Sequence, residues 1–337
     1  MQYSFYTLLG ITFICTCHFI PFKVYLQNKD SFLENHFKIK TKYLIFTYKQ
    51  TQLTMNISIN KEECIKCKKC ISVCIKDIFT YNGEIEIKNE DECIECGHCL
   101  AYCPTNSVIH SSFPKTKVHN ISKENIPNSK DLMELIKSRR STRVFSKNLI
   151  PDETLKTIIE AGHRAPTAKN KQLVEFTIIT NKEILSEIST YTVSVFSKIA
   201  KKLNNPFIKS IAKPFASEVY NLLPSFLSMQ EKFKNGEDII LRDASALLLI
   251  HSEKNRFAIQ DANLAYQNAS LMAESLGIGQ FYTGFIIAAI DNDNRKNYLS
   301  KKLGIKGNIY AGMALGIPKF SYSKYIDKKD ISINWIK

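Results

Sequence analysis

Eight of the ten cysteines lie in two runs of one spacing, Cys64-x-x-Cys67-x-x-Cys70-x-x-x-Cys74 and Cys93-x-x-Cys96-x-x-Cys99-x-x-x-Cys103. Each cysteine of the second run follows its counterpart by 29 positions, and Asn60, Glu63 and Ile65 recur as Asn89, Glu92 and Ile94. One small unit is therefore used twice. Four thiolates within eleven residues suit a compact soft-metal cluster, because sulfur ligands neutralise iron and short spacers let one loop wrap a cubane. Zinc is the plainer alternative, but its sites need four ligands, usually offered as paired Cys-x-x-Cys arms across a longer spacer. A third cysteine at the same interval, twice over, has no use there. A disulfide framework fits less well, since such runs suit stapled oxidising domains poorly and the rest of the chain is poor in cysteine. His98, inside the second run, reads as a surface or outer imidazole rather than a ligand.

The pattern resembles the bacterial ferredoxin with two 4Fe–4S clusters, in which the fourth cysteine of each run ligates the other cluster. That resemblance implies one cluster on Cys64, Cys67, Cys70 and Cys103 and another on Cys93, Cys96, Cys99 and Cys74. It also implies a βαββαβ-type pseudo-repeat over residues 55–110, opening on the strand Asn56-Ile57-Ser58-Ile59. Pro104 follows the second run, whereas Ile75 stands at the equivalent place in the first, a departure that bears on loop shape. The chain carries a formal net charge of +14, yet Met55 to His110 holds six lysines against nine acidic residues. An acidic electron module on a basic body favours docking between the two. No arginine–aromatic stripe or reader motif accompanies the lysines, so nucleic acid is not an expected partner.

Residues 1–54 read in two ways. Tyr3 to Phe22 is apolar and uncharged, close to the ~20 residues that a membrane-spanning helix needs. Lys23, Lys29, Lys38, Lys40 and Lys42 would then hold the downstream domains on the cytoplasmic side. The favoured reading is an upstream extension with no folded role, because Met55 sits directly ahead of the first strand. No positively charged n-region marks a secretory signal. Either way the chemistry is expected in a reducing cytoplasm.

Residues 111–129 mix Ser, Pro, Lys and Asn without periodicity and read as a linker. Helical signals begin beyond it: Ser129 as a cap ahead of Leu132, Leu135 and Ile136, then Pro151-Asp152-Glu153 opening a helix with Leu155, Ile158 and Ile159 on one face. Between them stands Ser138-Arg139-Arg140-Ser141-Thr142-Arg143, whose three guanidiniums are costly to bury without an anion. Glu160-Ala161-Gly162-His163-Arg164-Ala165-Pro166-Thr167-Ala168-Lys169-Asn170 comes next, then Asp261-Ala262-Asn263-Leu264-Ala265-Tyr266-Gln267-Asn268-Ala269, Glu274-Ser275-Leu276-Gly277-Ile278-Gly279 and Ala314-Leu315-Gly316-Ile317-Pro318. In that order these segments resemble the FMN-dependent nitroreductase family, over most of residues 130–337. Ala262, Ala265, Ala269, Met272 and Leu276 also repeat at helical spacing, with alanines small enough for a dimer core. Gly277-x-Gly279 lacks the GxGxxG spacing and ends a helix, so it reads as a C-cap and not as a dinucleotide loop.

The combined expectation is an α+β protein: a nitroreductase-like antiparallel sheet flanked by helices, preceded by the small ferredoxin-like domain. The resemblance implies FMN at a homodimer interface. Arg139 and Ser141 would hold its phosphate or ribityl chain, Arg140 would lie beside them, and Arg143 would approach the N1/C2-carbonyl edge as the catalytic cation. Pro166, Thr167, Ala168 and Asn170 would come from the partner subunit, and Tyr282, Thr283 and Gly284 would line the ring. Lys324 and Lys328 stand where the family usually supplies phosphate-binding arginines. Ile331 to Ile336 alternates as a strand does, and in relatives such a tail extends the partner's sheet. Residues 190–240, with Phe196, Phe207, Phe215 and Phe226, lie where an acceptor pocket is often covered. The expected function is an iron–sulfur flavoprotein oxidoreductase reducing a small acceptor, a nitroaromatic or quinone, with NAD(P)H or a reduced redox protein as donor. The alternative is an electron-transfer or redox-sensing protein without turnover.

Overall fold

A computed structural model describes residues 5–8, 11–14, 56–212 and 217–337. Strands β1 (Phe5–Leu8) and β2 (Ile11–Ile14) pair as an antiparallel hairpin. The rest of the Tyr3–Phe22 segment lies outside the described residues, and its two described pieces are strands, not the helix that a membrane span was expected to need. Among the described residues no helix is long and apolar enough to cross a membrane.

From Asn56 the chain runs β3 (Ile57–Ile59), α1 (Lys69–Val73), β4 (Phe79–Tyr81), β5 (Ile85–Ile87), α2 (His98–Ala101) and β6 (Val108–His110). This is the βαββαβ order expected from the repeat. β3 pairs antiparallel with β6, and β4 with β5 across a tight Asn82-Gly83 turn in which Gly83 takes φ +77°. Glycine supplies that left-handed conformation without steric cost. The repeat is also visible in the backbone: positive φ recurs at Lys66 and Glu95, Lys68 and Gly97, and Asp77 and Asn106. Each pair is 29 residues apart, so the two cysteine loops share one backbone path. Only Ile57, Ile78, Phe79, Ile85 and Val108 form the buried apolar core of this unit.

The linker holds two exposed single turns, Lys115–Lys117 and Lys123–Asn125. Helix α3 (Ser129–Ser138) is capped one residue earlier than expected: Asn128 Oδ1 accepts from the N–H groups of Lys130 (2.9 Å) and Asp131 (3.0 Å). Ser129 instead enters the first turn. Helix α4 (Asp152–His163) begins after Pro151 and buries Leu155 and Ile158.

Beyond it come β7 (Val174–Ile179), α5 (Lys182–Leu203), α6 (Pro206–Ala212), α7 (Ser217–Lys234), β8 (Ala246–Ser252), α8 (Ala258–Ser275), β9 (Gly279–Tyr282), α9 (Gly284–Asn292), α10 (Tyr298–Lys302) and β10 (Asn308–Gly316). The strands form one antiparallel sheet in the order β7-β8-β10-β9. β8 is buried along its whole length, so its run of leucines serves two cores. Leu247 and Leu249 join α5, α7 and α9 on one face; Ala246, Leu248 and Ile250 join α4 and α8 on the other. Period-2 alternation distributes a continuous apolar run to both sides.

The alanines of α8 do their packing inside one chain. Ala262, Ala265 and Ala269 are buried against the sheet and α4, and a side chain at Gly162 of α4 would stand 3.2 Å from the Ala265 carbonyl oxygen. The expectation that they build a dimer core is replaced by this close α4–α8 crossing. Gly277 does end α8, with φ +70° and the Ile278 N–H donating to the Ala273 carbonyl (2.8 Å). Phe196 and Phe226 are core residues with ring centroids 5.0 Å apart, Phe207 is exposed, and Phe215 lies outside the described residues. Within the single chain Ile331 to Ile336 forms no strand, and Trp335 is 75% exposed. Alternation alone makes no strand without an edge to pair with.

Gly307, with φ +83°, precedes β10 where a Cβ would overlap the Ser252 carbonyl of β8. Gly307→Ala is expected to destabilise the protein by more than ~1 kcal/mol, since the left-handed backbone and an immovable carbonyl both oppose a side chain. Urea denaturation would show a lower midpoint.

Candidate functional site

The eight cysteines of the two runs are all free and mostly half-buried. They gather crosswise. A small pocket open to solvent is lined by Cys64, Cys67 and Cys70 of the first run together with Cys103 of the second, with Ile59 and Val108 also in its wall. Cys99, in turn, has Cys93, Cys96 and Cys74 as its charged neighbours. Among the described residues no trio of His, Cys, Asp or Glu is close enough to hold a single metal ion. Two crosswise sets of four thiols fit a pair of polynuclear iron–sulfur clusters.

Burial, followed by the charge of neighbouring thiols, presses these groups toward the neutral form: Cys99 is pushed up to about 12, and Cys70 and Cys93 move in the same direction. Cys103 is also desolvated, but N–H groups of Thr105, Val108 and Ser107 outweigh that and lower its pKa. A set of ionised thiolates in such a pocket calls for a cation, and iron supplies it. Backbone N–H groups reach the sulfurs in matching ways, Ile78 to Cys74 Sγ (3.4 Å) and Ser107 to Cys103 Sγ (3.2 Å), each four residues on.

His98 is exposed, lying edge-on to Tyr102 as a surface imidazole. The imidazole that faces a cysteine is His110, which is 2% exposed with Nε2 3.6 Å from Cys93 Sγ. Its Nδ1 accepts from the Ser112 N–H (3.2 Å), so the proton sits on Nε2 and points at the sulfur. Sequence spacing did not single out His110; its only signal is the alternation of Val108 and His110 on the inward side of β6.

The arginine segment runs beside the edge strand β9. Ser141 bridges to Gln280, and the Thr142 N–H donates to the Gln280 carbonyl (2.9 Å). Two glycines of the sequence motifs permit this approach: a Cβ on Gly279 would meet Thr142 at 2.8 Å, and one on Gly316 would meet Phe145 at 2.6 Å. Arg139, Arg140 and Arg143 take part in none of the ion pairs among the described residues. Arg143 is exposed with its guanidinium 5.8 Å from the Phe281 ring centre, and Arg140 lies 5.9 Å from the Tyr322 ring centre. Burial raises the Tyr266 pKa, against the opposing charges of Arg139 and Arg143. Tyr282 packs edge-on to Tyr266 with centroids 4.9 Å apart, and Thr283 and Gly284 lead into the start of α9. Three guanidiniums without an ion-pair partner among the described residues, set along β9, fit an anionic phosphate-bearing ligand such as FMN.

Tyr266 and Gln280 were not anticipated as site residues. The Tyr266 hydroxyl donates to Gln280 Oε1 (2.6 Å), and Gln280 Nε2 donates to the Arg140 carbonyl (3.4 Å), so a fully buried amide fixes the arginine turn. Tyr266→Phe is expected to cost about 1–3 kcal/mol by leaving that acceptor unsatisfied, read as a lower melting temperature with the fold retained. The C-terminal segment also approaches: the Tyr322 hydroxyl donates to the Ser138 carbonyl (2.6 Å), and Lys137 Nζ donates to the Tyr325 hydroxyl (3.2 Å). Lys324, between these tyrosines, and Lys328 are exposed.

Among the described residues, Pro166, Thr167, Ala168 and Asn170 share no hydrogen bond with this cluster. The Ala168 N–H donates to Oδ1 of buried Asp261 on α8 (3.1 Å), and Thr167 Oγ1 accepts from the Gln172 N–H (2.9 Å). Asn170 donates through Nδ2 to the carbonyls of Glu95 (2.7 Å) and Ile94 (3.3 Å) in the second cysteine loop.

Residues 136–317 match the nitroreductase family model, and residues 56–109 match the 4Fe-4S dicluster domain. An Archaeoglobus fulgidus protein, provisionally named an NADH dehydrogenase/NAD(P)H nitroreductase, is 25% identical over 197 residues, covering 56% of this chain and 86% of its own length. The NADPH-flavin oxidoreductase of Vibrio harveyi is 27% identical over 188 residues, covering 55% of this chain and 65% of its own. Among solved structures, a nitroreductase with bound FMN from Desulfitobacterium hafniense aligns at 20% identity and a TM-score of 0.47, covering 63% of this chain and all of that one. With the family match spanning more than half of the residues and the dicluster match lying ahead of it, the protein belongs to the nitroreductase family and carries a 4Fe-4S dicluster domain on the N-terminal side of that core.

Proposed function

We propose that the protein is an oxidoreductase that exchanges electrons between two 4Fe–4S clusters and FMN and reduces a small acceptor, a nitroaromatic or a quinone. The observation that carries this reading is the crosswise gathering of the eight thiols in a chain that also holds, beside β9, three arginines without an ion-pair partner among the described residues. Cys64, Cys67, Cys70 and Cys103 ligate one cluster; Cys74, Cys93, Cys96 and Cys99 ligate the other. When bound, the clusters supply one-electron steps and FMN supplies the conversion between one- and two-electron chemistry.

Arg139 and Ser141 hold the phosphate or ribityl chain, with Arg140 beside them. Arg143 places positive charge where the reduced isoalloxazine accumulates negative charge. Tyr282, Thr283 and Gly284 line the ring, and Lys324 and Lys328 extend the basic rim. A second copy of the chain completes the site with Pro166, Thr167 and Ala168, and gives the exposed tail from Ile331 to Ile336 an edge to pair with. The protein works in a reducing compartment such as the cytoplasm, where its thiolates survive, and takes electrons from NAD(P)H or a reduced redox protein.

Anaerobic purification with iron, sulfide and flavin counted per chain is the first test. Stopped-flow mixing of the reduced protein with a nitroaromatic is the second: prompt return of the oxidised flavin band with product formation is expected. Cluster reduction without acceptor turnover would instead mark an electron-transfer or sensing protein.

A further inference from the structure

The amide of Asn170, which the family resemblance implies would reach the flavin from the partner subunit, is hydrogen-bonded within the chain. Both carbonyls that accept from it, Ile94 and Glu95, lie between Cys93 and Cys96. Among the described residues these are the only side-chain hydrogen bonds that tie residues 56–110 to residues beyond 130, and the first cysteine loop makes no counterpart. The turn that presents Asn170 is unusual in itself: Lys169 and Asn170 take φ +56° and +52° in succession. Non-glycine residues persist in that region where their surroundings hold them there. On the other side the turn is tied to α8 through Ala168 and Asp261. Five residues along α8, about 7.5 Å of helix rise, stands Tyr266, which holds Gln280 and with it the arginine turn.

We infer that Asn170 is a positioning residue that seats the second cysteine loop on the flavin-binding core, so that electrons pass between the domains through the cluster of Cys74, Cys93, Cys96 and Cys99. The cluster of Cys64, Cys67, Cys70 and Cys103 is then the outer one, loaded by a one-electron donor. The inference rests on the proposed cluster–flavin exchange and adds its route. Each pass oxidises the second cluster by one electron. Two passes, with one proton from solvent, account for the two-electron reduction of one flavin, and the reverse passes return the electrons.

The experiment uses the full chain, loaded with iron, sulfide and flavin. Bound flavin is photoreduced anaerobically by a flash with EDTA as the sacrificial donor, and the bleaching of cluster absorbance is followed. Asn170→Asp sets an acceptor against two carbonyls and is expected to slow that bleaching about tenfold, as loss of one amide's two hydrogen bonds would lower the seated population. Hydrogen exchange at residues 93–99 should quicken in the same variant, while the first loop keeps its protection. Asn170→Gln, which keeps the donors, should recover part of the rate. Cys96→Ser should abolish the fast bleaching, whereas Cys67→Ser should retain a fast phase of roughly half the amplitude, one cluster of two.

Fast bleaching lost in Cys67→Ser and kept in Cys96→Ser, or unchanged exchange and rate in Asn170→Asp, overturns the route. Absence of any cluster bleaching in the fully loaded wild-type protein overturns the underlying exchange instead.

Discussion

Removing iron is expected to unfold residues 56–110 while residues 130–320 keep their secondary structure. The unit's two helices have five and four residues, far short of the ~12–15 at which an isolated helix becomes even marginal in water. Its four strands have three residues each and form two separate pairs. Five apolar side chains make up its buried core, and chains of this size usually need metals or other staples to stay folded. The cysteine loops, moreover, hold Lys66, Lys68 and Glu95 in left-handed backbone, which each residue adopts at a cost of roughly 1–2 kcal/mol. Metal–thiolate bonds are what offset those terms. Ligation also expels thiol protons, Cys99 among them with its pKa pushed to about 12, so cluster retention should weaken as pH falls. Circular dichroism and proteolysis before and after chelation would read the outcome. Cuts confined to 56–110 are expected, because the other core is built on a fully buried β8 with clusters on both faces. Full protection of 56–110 without iron would remove the clusters from any structural role.

What was legible in the sequence was what spacing encodes. The 29-residue period specified one backbone path twice, and three pairs of left-handed residues bear it out. The glycines were legible as motif members, but not their cause: Gly279 and Gly316 are small because Thr142 and Phe145 lie on them. Burial of the α8 alanines followed from periodicity, whereas the partner did not, since a small-residue stripe looks the same facing α4 as facing another chain. The tail is a different case. Its alternation from Ile331 is a local pattern, but strand pairing is not local, and the single chain leaves it unpaired. Asn170 was assigned by resemblance to a flavin; its amide reaches backbone carbonyls 75 and 76 residues earlier. His110 and Gln280 escaped notice because a buried polar residue in a strand is defined by its tertiary partners, which no window of sequence contains.

Arg143→Ala is expected to leave the protein folded and flavin-loaded while lowering acceptor reduction by about 10²–10³-fold, the loss typical of one removed charge-stabilising donor in a closed site. The side chain is exposed and makes no ion pair among the described residues, so truncation removes little packing. Its guanidinium is 5.8 Å from the Phe281 ring centre, on the same edge as Arg139 and the half-buried Tyr266, whose hydroxyl donates to Gln280 at 2.6 Å. Tyr266 is therefore held protonated by burial, and the arginines are the groups that bring full charge to that edge. A flavin seated there would exclude water from the cation, and the weaker screening would strengthen its hold on the reduced, negatively charged ring. The flavin potential should accordingly become more negative in Arg143→Ala. Arg143→Lys keeps the charge without the planar fork and should recover part of the potential but less of the rate, because geometry as well as sign is required. Anaerobic redox titration and single-turnover oxidation separate the two effects. A variant with wild-type potential and wild-type rate would take Arg143 out of the chemistry and leave Arg139 as the remaining cation beside Tyr266.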